Sequence, residues 1–493
     1  MPENGAHDVV VIGGGAAGCV VAARLAESGS RSVLLLEAGP DHRADLPPEL
    51  RNGWTIEREP FDWGCESEPH LGSPRPVRRK RLLGGTSWLT RFTPRGSPAD
   101  YEGWEALGNP GWGFEEVLPF FIRLEADLDF GHQPWHGDEG LIPSARYPEL
   151  AHTPVCEAAI HALAAMGFPD VDDHNRPGAV GVGRMPMNSR DGLRVTTADA
   201  YLPVDGTPLG LSIRADSQVD RVLFDAAGRA RGVRLIDGSE IEADWVVLCA
   251  GTYGSPPILM RSGVGPARHL RDIGIAVVAD LPGVGANLAD HPAIDVDFRY
   301  RGAGRIAPIL HTIATFHSTG RSARESPDLM LWFEDPDEDE ANFSIEVVLL
   351  RPHSRGSVGL RSADPTAPPR IELPNLGDPR DVVRLAEGYR RALDMAQHPG
   401  VRKFCEGPVT DERDVFDEVL RSSAYSIPHV VGTCAMGPRP QDGAVVDISG
   451  RVYGTDRLSV VDASIMPDVP SGFTHIPVIM IAERLSERLA AML

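Results

Sequence analysis

Apolar runs and segments of helical spacing alternate from the first residues. Residues 8–12 form an apolar run of strand length that ends in Gly13-Gly14-Gly15. Small and apolar residues then recur at helical spacing over 17–27 and stop at Ser28-Gly29. Residues 32–37 make a second buried run, closed by Ala38-Gly39-Pro40. The pattern predicts a strand–helix–strand unit over 8–39. Residues 40–80, rich in Pro, Gly and Arg, predict an extended excursion. Helical periodicity returns at 113–128 and 154–166. Residues 210–250 alternate like strands, with turns at Asp225-Ala226-Ala227-Gly228 and Asp237-Gly238.

Beyond about residue 293 the texture changes. The segments 294–300, 312–318, 328–333, 344–350 and 357–361 predict successive antiparallel strands. The acidic stretch 334–340 has no apolar anchor and predicts a solvated loop. A helix is expected over 382–397, a strand over 458–462 and an amphipathic helix over 477–493. No internal repeat or low-complexity tail is present.

Composition narrows the class. A chain of 493 residues exceeds what one core organises, so two domains are expected. The balance of 48 Lys+Arg against 70 Asp+Glu, net −22, argues against a nucleic-acid or anionic-membrane partner. The six cysteines are scattered with no CxxC pair, which excludes a disulfide framework, a zinc ribbon or a thioredoxin-type pair. No metal site is expected. No run reaches ~18 apolar residues, so no membrane span is expected. No basic region precedes the first apolar run, and a cytoplasmic location is the expectation.

Gly13-x-Gly15-x-x-Gly18 lies between a predicted strand and a predicted helix. The first glycine permits the tight turn, the second lets the backbone approach a pyrophosphate, and the third lets the helix pack on the strand. The helix N-terminus, at Ala16 and Ala17, presents free N–H groups to the phosphates. Glu37 follows Gly18 by 19 residues at the end of the second strand. A carboxylate there accepts from a ribose 2′-OH and repels a 2′-phosphate, which excludes NADP and leaves NAD or FAD.

Three further segments carry a resemblance. The first runs from Gly251-Thr252-Tyr253-Gly254-Ser255-Pro256 to Arg261-Ser262-Gly263-Val264-Gly265, followed by Pro282-Gly283-Val284-Gly285-x-Asn287-Leu288-x-Asp290-His291. The second is His429-Val430-Val431-Gly432-Thr433-Cys434-Ala435-Met436-Gly437. The third is Val461-Asp462-Ala463-Ser464-Ile465-Met466-Pro467 with Gly472-Phe473-Thr474-His475-Ile476-Pro477. In these the chain resembles the glucose–methanol–choline (GMC) family of FAD-dependent alcohol oxidoreductases, end to end and most weakly over 290–380.

The resemblance implies an α/β fold: a Rossmann-like FAD-binding domain interleaved with a substrate domain built on a large antiparallel sheet with flanking helices. The FAD-binding segments would be 1–95, 205–292 and 425–493, and the substrate segments 96–204 and 293–424. It implies an enzyme that oxidises an alcohol to a carbonyl by hydride transfer to flavin N5, with O2 or a quinone or protein as electron acceptor. Hydroxynitrile lyases, fatty-acid photodecarboxylases and a non-catalytic flavoprotein are the alternatives.

His429 matches the family's proton acceptor and His475 its partner at the substrate oxygen. Val219 matches the residue that meets the adenine through its backbone. Ala38 belongs with Glu37. Gly84, Gly85, Thr86 and Ser87, with Asp462 and Ala463, would lie against the flavin half. Thr90 stands where the family usually has Asn. Leu89 stands where some members carry the His that links to the flavin, so FAD is expected to be non-covalent.

The remaining candidates rank lower. His291, His353 and His398 read as background histidines. His311 and His317 lie on a predicted strand within reach of the pocket. The run Arg75, Arg78, Arg79, Lys80 and Arg81 reads as solvated, except that Arg81 is placed at the pyrophosphate. Arg91 and Arg95 either meet an anionic substrate or pair with acids such as Asp100.

Overall fold

The run that opens the chain, His7–Ile12, is the third strand of a sheet in a computed structural model. The described residues are 6–55, 60–69, 74–205, 209–302, 308–336, 342–374, 376–408, 420 and 422–493. Residues 337–340 of the acidic stretch lie outside them.

Leu211–Arg214, Val33–Leu36, His7–Ile12, Glu240–Leu248 and Leu458–Val460 pair side by side in parallel. Their registers are flush: Ile12 pairs with Leu36 and Leu248, Leu36 with Arg214, and Leu248 with Val460. Residues following each strand therefore emerge at one edge, where a doubly wound sheet places its ligands. The other half of Glu240–Leu248 pairs antiparallel with Ala230–Leu235, which pairs with Val219–Phe224. These are the strands predicted over 210–250. Helix Ala16–Ala26 packs against the C-terminal helix His475–Met492.

The second sheet is antiparallel, in the order Cys405–Pro408, Ala289–Tyr300, Asn342–Leu349, Leu329–Glu334, His311–Phe316, Val182–Arg184. Tyr425–Val431 pairs with the first part of Ala289–Tyr300. Alternation divides the sheet's faces. Ile294, Val296, Val347 and Leu331 pack with helices Pro154–Ala165 and Pro379–Ala396. Ala293, Val348, Met330 and Ile313 face the opposite way, with Phe92 and Phe473.

Two predicted limits shift. The strand expected at 294 begins at Ala289, because Tyr425–Val431 supplies pairing for the polar stretch Asp290-His291-Pro292. The strand expected at 357–361 is Ser357–Gly359 and pairs with Arg370–Glu372 outside the large sheet. Its Val358 N–H donates to the Gly285 carbonyl instead, at 2.7 Å. Among the described residues no helix is long and apolar enough to cross a membrane.

A buried ionic cluster anchors the segment leading from helix Phe114–Leu124. His136 lies 2.6 Å from Glu125 and 3.0 Å from Asp173, and Arg146 pairs with Asp127 at 2.9 Å and Asp173 at 2.8 Å. Burial opposes the His136 charge, but the hydrogen bonds to Asp173 and Glu125 and the charges of Glu125 and Asp127 outweigh it and raise its pKa to about 9. A raised folded-state pKa stabilises fully below the unfolded value and is lost as pH rises through the folded one. Unfolding free energy should fall by roughly 2–3 kcal/mol between pH 6.5 and 9.5. Denaturant melts of the wild type and His136→Gln check this: the variant should lack that part of the slope.

Candidate active site

Three glycines shape the turn after His7–Ile12. Gly13 has φ +96°, and a Cβ there would lie 2.7 Å from the Cys249 carbonyl oxygen. A Cβ on Gly18 would lie 1.8 Å from the Gly13 carbonyl oxygen, so helix and strand approach only with glycine there. At Gly15 a Cβ would meet nothing within 4 Å: this glycine borders open space at the N-terminus of helix Ala16–Ala26. Ala16 and Ala17 form the helix's first turn, with Ala17 buried.

Glu37 sits at the same edge with its carboxylate buried. It accepts from the Gly14 and Gly39 N–H groups, each at 2.8 Å, and burial pushes its pKa up to about 7. The stretch before Val219 wraps this end: Ser217 N–H donates to the Glu37 carbonyl at 2.7 Å and Asp216 N–H to the Gly39 carbonyl at 2.9 Å. Arg81 donates to the Ala38 carbonyl at 3.2 Å, beside Glu37. Gly84 N–H donates to the Gly14 carbonyl at 2.7 Å, and a Cβ on Gly85 would lie 2.8 Å from the Gly15 Cα. The turn Gly85–Trp88, with Thr86 and Ser87, therefore rests on the glycine turn. Thr90 Oγ1 donates to the Ser87 carbonyl at 3.0 Å. The cradle at Gly15, the buried acid at Glu37 and the adjoining turn fit the phosphate and ribose groups of a dinucleotide.

Asp462 follows the last parallel strand. Its buried carboxylate accepts from Gly251 N–H at 2.9 Å, Ser255 Oγ at 2.6 Å and Ser464 N–H at 2.8 Å. The side chain is thus engaged within the protein, and the backbone at Asp462 and Ala463 is what remains for a ligand.

The histidines gather where the two sheets meet. The Phe473 ring lies 4.5 Å from the His429 ring, and His475 follows two residues later as the first residue of the C-terminal helix. His475 is buried and its Nε2 has no hydrogen-bond partner among the described residues. Burial and the neighbouring Arg194 guanidinium lower its pKa to about 4. Arg194 in turn donates to the carbonyl of Trp88, next to the loop of Leu89 and Thr90. Burial, with His291 and Arg79 nearby, holds His429 well below the ordinary histidine range.

His291, read from sequence as background, is a member of this group. Its Nδ1 lies 3.1 Å from the His429 Nδ1, and its Nε2 lies 3.0 Å from the Pro470 carbonyl oxygen. Asp290 accepts from the His429 N–H at 2.9 Å and the His291 N–H at 2.8 Å. Nothing in spacing alone pointed to this; the pairing of Ala289–Tyr300 with Tyr425–Val431 creates it. His353 and His398 lie elsewhere, the first with its backbone N–H on Asp381 and the second beside Gly400.

An aromatic wall adjoins the histidines. Phe92 packs edge-on against Trp332 at 5.1 Å, Phe473 at 5.6 Å and His311 at 4.7 Å. His311 accepts from Trp332 Nε1 at Nδ1, 3.1 Å, while its buried Nε2 has no partner among the described residues. His317 turns away to the Glu325 carbonyl. Arg91 stacks on Phe92 at 5.0 Å and lies 3.8 Å from Glu334. Arg95 is buried on the carbonyls of Trp135 and Asn175, and Asp100 pairs with Arg351 at 3.2 Å instead of with either arginine. Nor is the basic run solvated throughout. Arg75 donates to the carbonyls of Ala424 and Ser422, and Arg79 to that of Pro428, so both fix the strand that carries His429.

Comparison with known proteins agrees with this architecture. Two family models, each described as GMC oxidoreductase, match residues 7–293 and 352–482. The 5-(hydroxymethyl)furfural oxidase of Methylovorus sp. (strain MP688) is 34% identical over 523 residues, covering 97% of this chain and 98% of that protein. The oxygen-dependent choline dehydrogenase of Pseudomonas syringae pv. syringae is 32% identical over 541 residues, covering 99% and 94%. The crystal structure of pyridoxine 4-oxidase from Mesorbium loti superposes with a TM-score of 0.89 at 30% identity, covering 98% of this chain and 99% of that one. With end-to-end relatives and a family match over most of its length, the chain belongs to the GMC oxidoreductase family of FAD-dependent enzymes.

Proposed function

We propose that the protein oxidises an alcohol (CH–OH donor) to an aldehyde or ketone, with His429 as the base and His475 hydrogen-bonding the substrate oxygen. The observation that carries this reading is the buried, unpartnered Nε2 of His475. An unmade hydrogen bond inside a protein costs ~1–3 kcal/mol, and at His475, beside the His429 segment, a substrate hydroxyl would complete it. The Phe473 ring against His429 brings that nitrogen's segment to the second histidine. Burial keeps both rings neutral at neutral pH, the state in which one accepts a proton and the other orients a hydroxyl. Hydroxymethylfurfural, choline and pyridoxine, named in the relatives, are all alcohols.

FAD would be held along segments 1–95, 205–292 and 425–493. Gly13, Gly15 and Gly18, with the N–H groups of Ala16 and Ala17, would take the pyrophosphate. Glu37 and Ala38 would meet the ribose, and the Val219 backbone the adenine. Gly84, Gly85, Thr86, Ser87 and Thr90, with the backbone of Asp462 and Ala463, would meet the flavin half. Leu89 offers no nucleophile, so the cofactor is bound without a covalent link. Bound FAD would supply the two-electron acceptor for the oxidation. The protein's part is to hold the hydroxyl between two neutral imidazoles, take its proton on His429 and wall off water with Phe92, Trp332 and Phe473.

His429→Gln should keep its flavin, while anaerobic reduction by an alcohol slows by ~10²-fold or more. Stopped-flow bleaching of the flavin absorbance reads this, and a wild-type rate would refute the assignment. Admitting air afterwards tells O2 from a quinone or protein acceptor. Gly15→Val places its branches in the open cradle. It should leave the melting temperature of the cofactor-free protein within about a degree or two, because a Cβ there meets nothing within 4 Å, yet emerge from purification with little flavin. Full flavin content would show that the cradle does not hold the cofactor.

A further inference from the structure

We propose that His291 is a positioning residue that fixes the tautomer of His429: it accepts the His429 Nδ1–H and so keeps Nε2 of His429 as the bare nitrogen that takes the substrate proton. The inference rests on the reading of His429 as the base and adds what makes one of its two nitrogens available.

The two Nδ1 atoms lie 3.1 Å apart, so one of them carries a hydrogen and the other a lone pair. Two carbonyls, Pro470 and Leu350, act on the His291 ring; the one within hydrogen-bond geometry, Pro470, lies 3.0 Å from Nε2 and can only accept, so this nitrogen carries the hydrogen. Burial keeps the His291 pKa down at about 4, and a neutral ring has only one N–H. His291 Nδ1 is therefore the lone pair, and the shared hydrogen belongs to His429 Nδ1. His429 is also neutral, so its Nε2 is bare.

The backbone holds the pair in this arrangement. Asp290 Oδ1 accepts the N–H of both histidines, and its other oxygen takes the Ser426 hydroxyl. The strands change register between Ala289 and His291, and this irregularity brings both rings to one spot. The charged groups around the pair are Arg79 beside His429, Arg351 and Asp468 near His291, and Asp290 beneath both. Asp290, pushed up to about 7 by burial, titrates closest to neutrality. Comparisons are therefore made in mildly alkaline buffer, where it is ionised. Without an acceptor at His291, the part-buried Nδ1–H of His429 would lose its partner and the hydrogen would move to Nε2, blocking the base.

The test uses flavin-loaded enzyme labelled with 15N-histidine. His429 signals are assigned by their loss in His429→Gln. The wild type should show a bare, pyridine-type Nε2 and a protonated, pyrrole-type Nδ1 at His429. His291→Phe should shift the hydrogen to Nε2 and slow anaerobic flavin reduction by ~10²-fold with flavin content unchanged. His291→Asn, whose amide oxygen stands where Nδ1 was, should restore most of the rate and the wild-type tautomer. A wild-type His429 protonated on Nε2 would overturn the proposal without any variant, and so would a His291→Phe enzyme that keeps both tautomer and rate. If His429→Gln is reduced at the wild-type rate, the base reading itself fails, and the wild-type spectrum still decides the tautomer on its own.

Discussion

Four hydrogen bonds converge on the buried carboxylate of Asp462, and the geometry of the site hangs on them. Gly251 N–H and Ser255 Oγ reach one oxygen; Ser464 N–H and Oγ reach the other. Helix Gly251–Arg261 is thereby tied to the turn Ala463–Ile465. That turn accepts the Cys434 and Met436 N–H groups, each at 2.8 Å, and so fixes the loop that follows His429. Thr252 Oγ1 adds a bond to the Val430 carbonyl at 2.8 Å, and Thr433 Oγ1 one to the Thr252 carbonyl at 2.7 Å. Burial raises the Asp462 pKa, and the ionised form is bearable only because donors surround it. One side chain thus joins three stretches of chain distant in sequence.

The flush parallel strands explain why such a join is possible. Gly13, Glu37, Cys249 and Val461 each leave the sheet at the same level. The glycine turn, the acid, the Asp462 join and the loop of Gly84 and Gly85 then need only short extensions to meet. Glycine is required at Gly13 and Gly18 because backbone fills the place of a Cβ, whereas at Gly15 the fold leaves open space.

Much of this was legible in the sequence. Run length and spacing gave the strand–helix–strand unit, the strands of 210–250 and most of the antiparallel set, because period and turn residues are local signals. Motif resemblance singled out His429 and His475, which the structure brings together through Phe473. His291 was not singled out, although it stands in a quoted motif. Its role depends on a register irregularity between strands more than a hundred residues apart, and no local pattern records which residue opposes which. The basic run misled for a similar reason. Arg75 and Arg79 read as solvated until the strand carrying His429 supplied carbonyls for them.

A count of sixteen histidines says nothing of their roles, and the structure shows what separates them. His136 faces three carboxylates and is driven toward the cation, where it cements a segment. His291, His429 and His475 lie among rings, carbonyls and guanidinium groups, and His311, although Glu334 lies 3.0 Å from its Nδ1, is buried beside Arg91; all four are driven toward the neutral form. Asp290 is the acid whose carboxylate accepts the backbone N–H of both His291 and His429, and its direction matters. Turned onto a ring nitrogen, it would stabilise an imidazolium and compete for the hydrogen that the tautomer argument assigns. Its acceptor sites instead go to two backbone N–H groups and a serine hydroxyl. It therefore fixes where the imidazoles sit without fixing a charge on them, and the Pro470 carbonyl together with the ring–ring contact decides which nitrogen is bare.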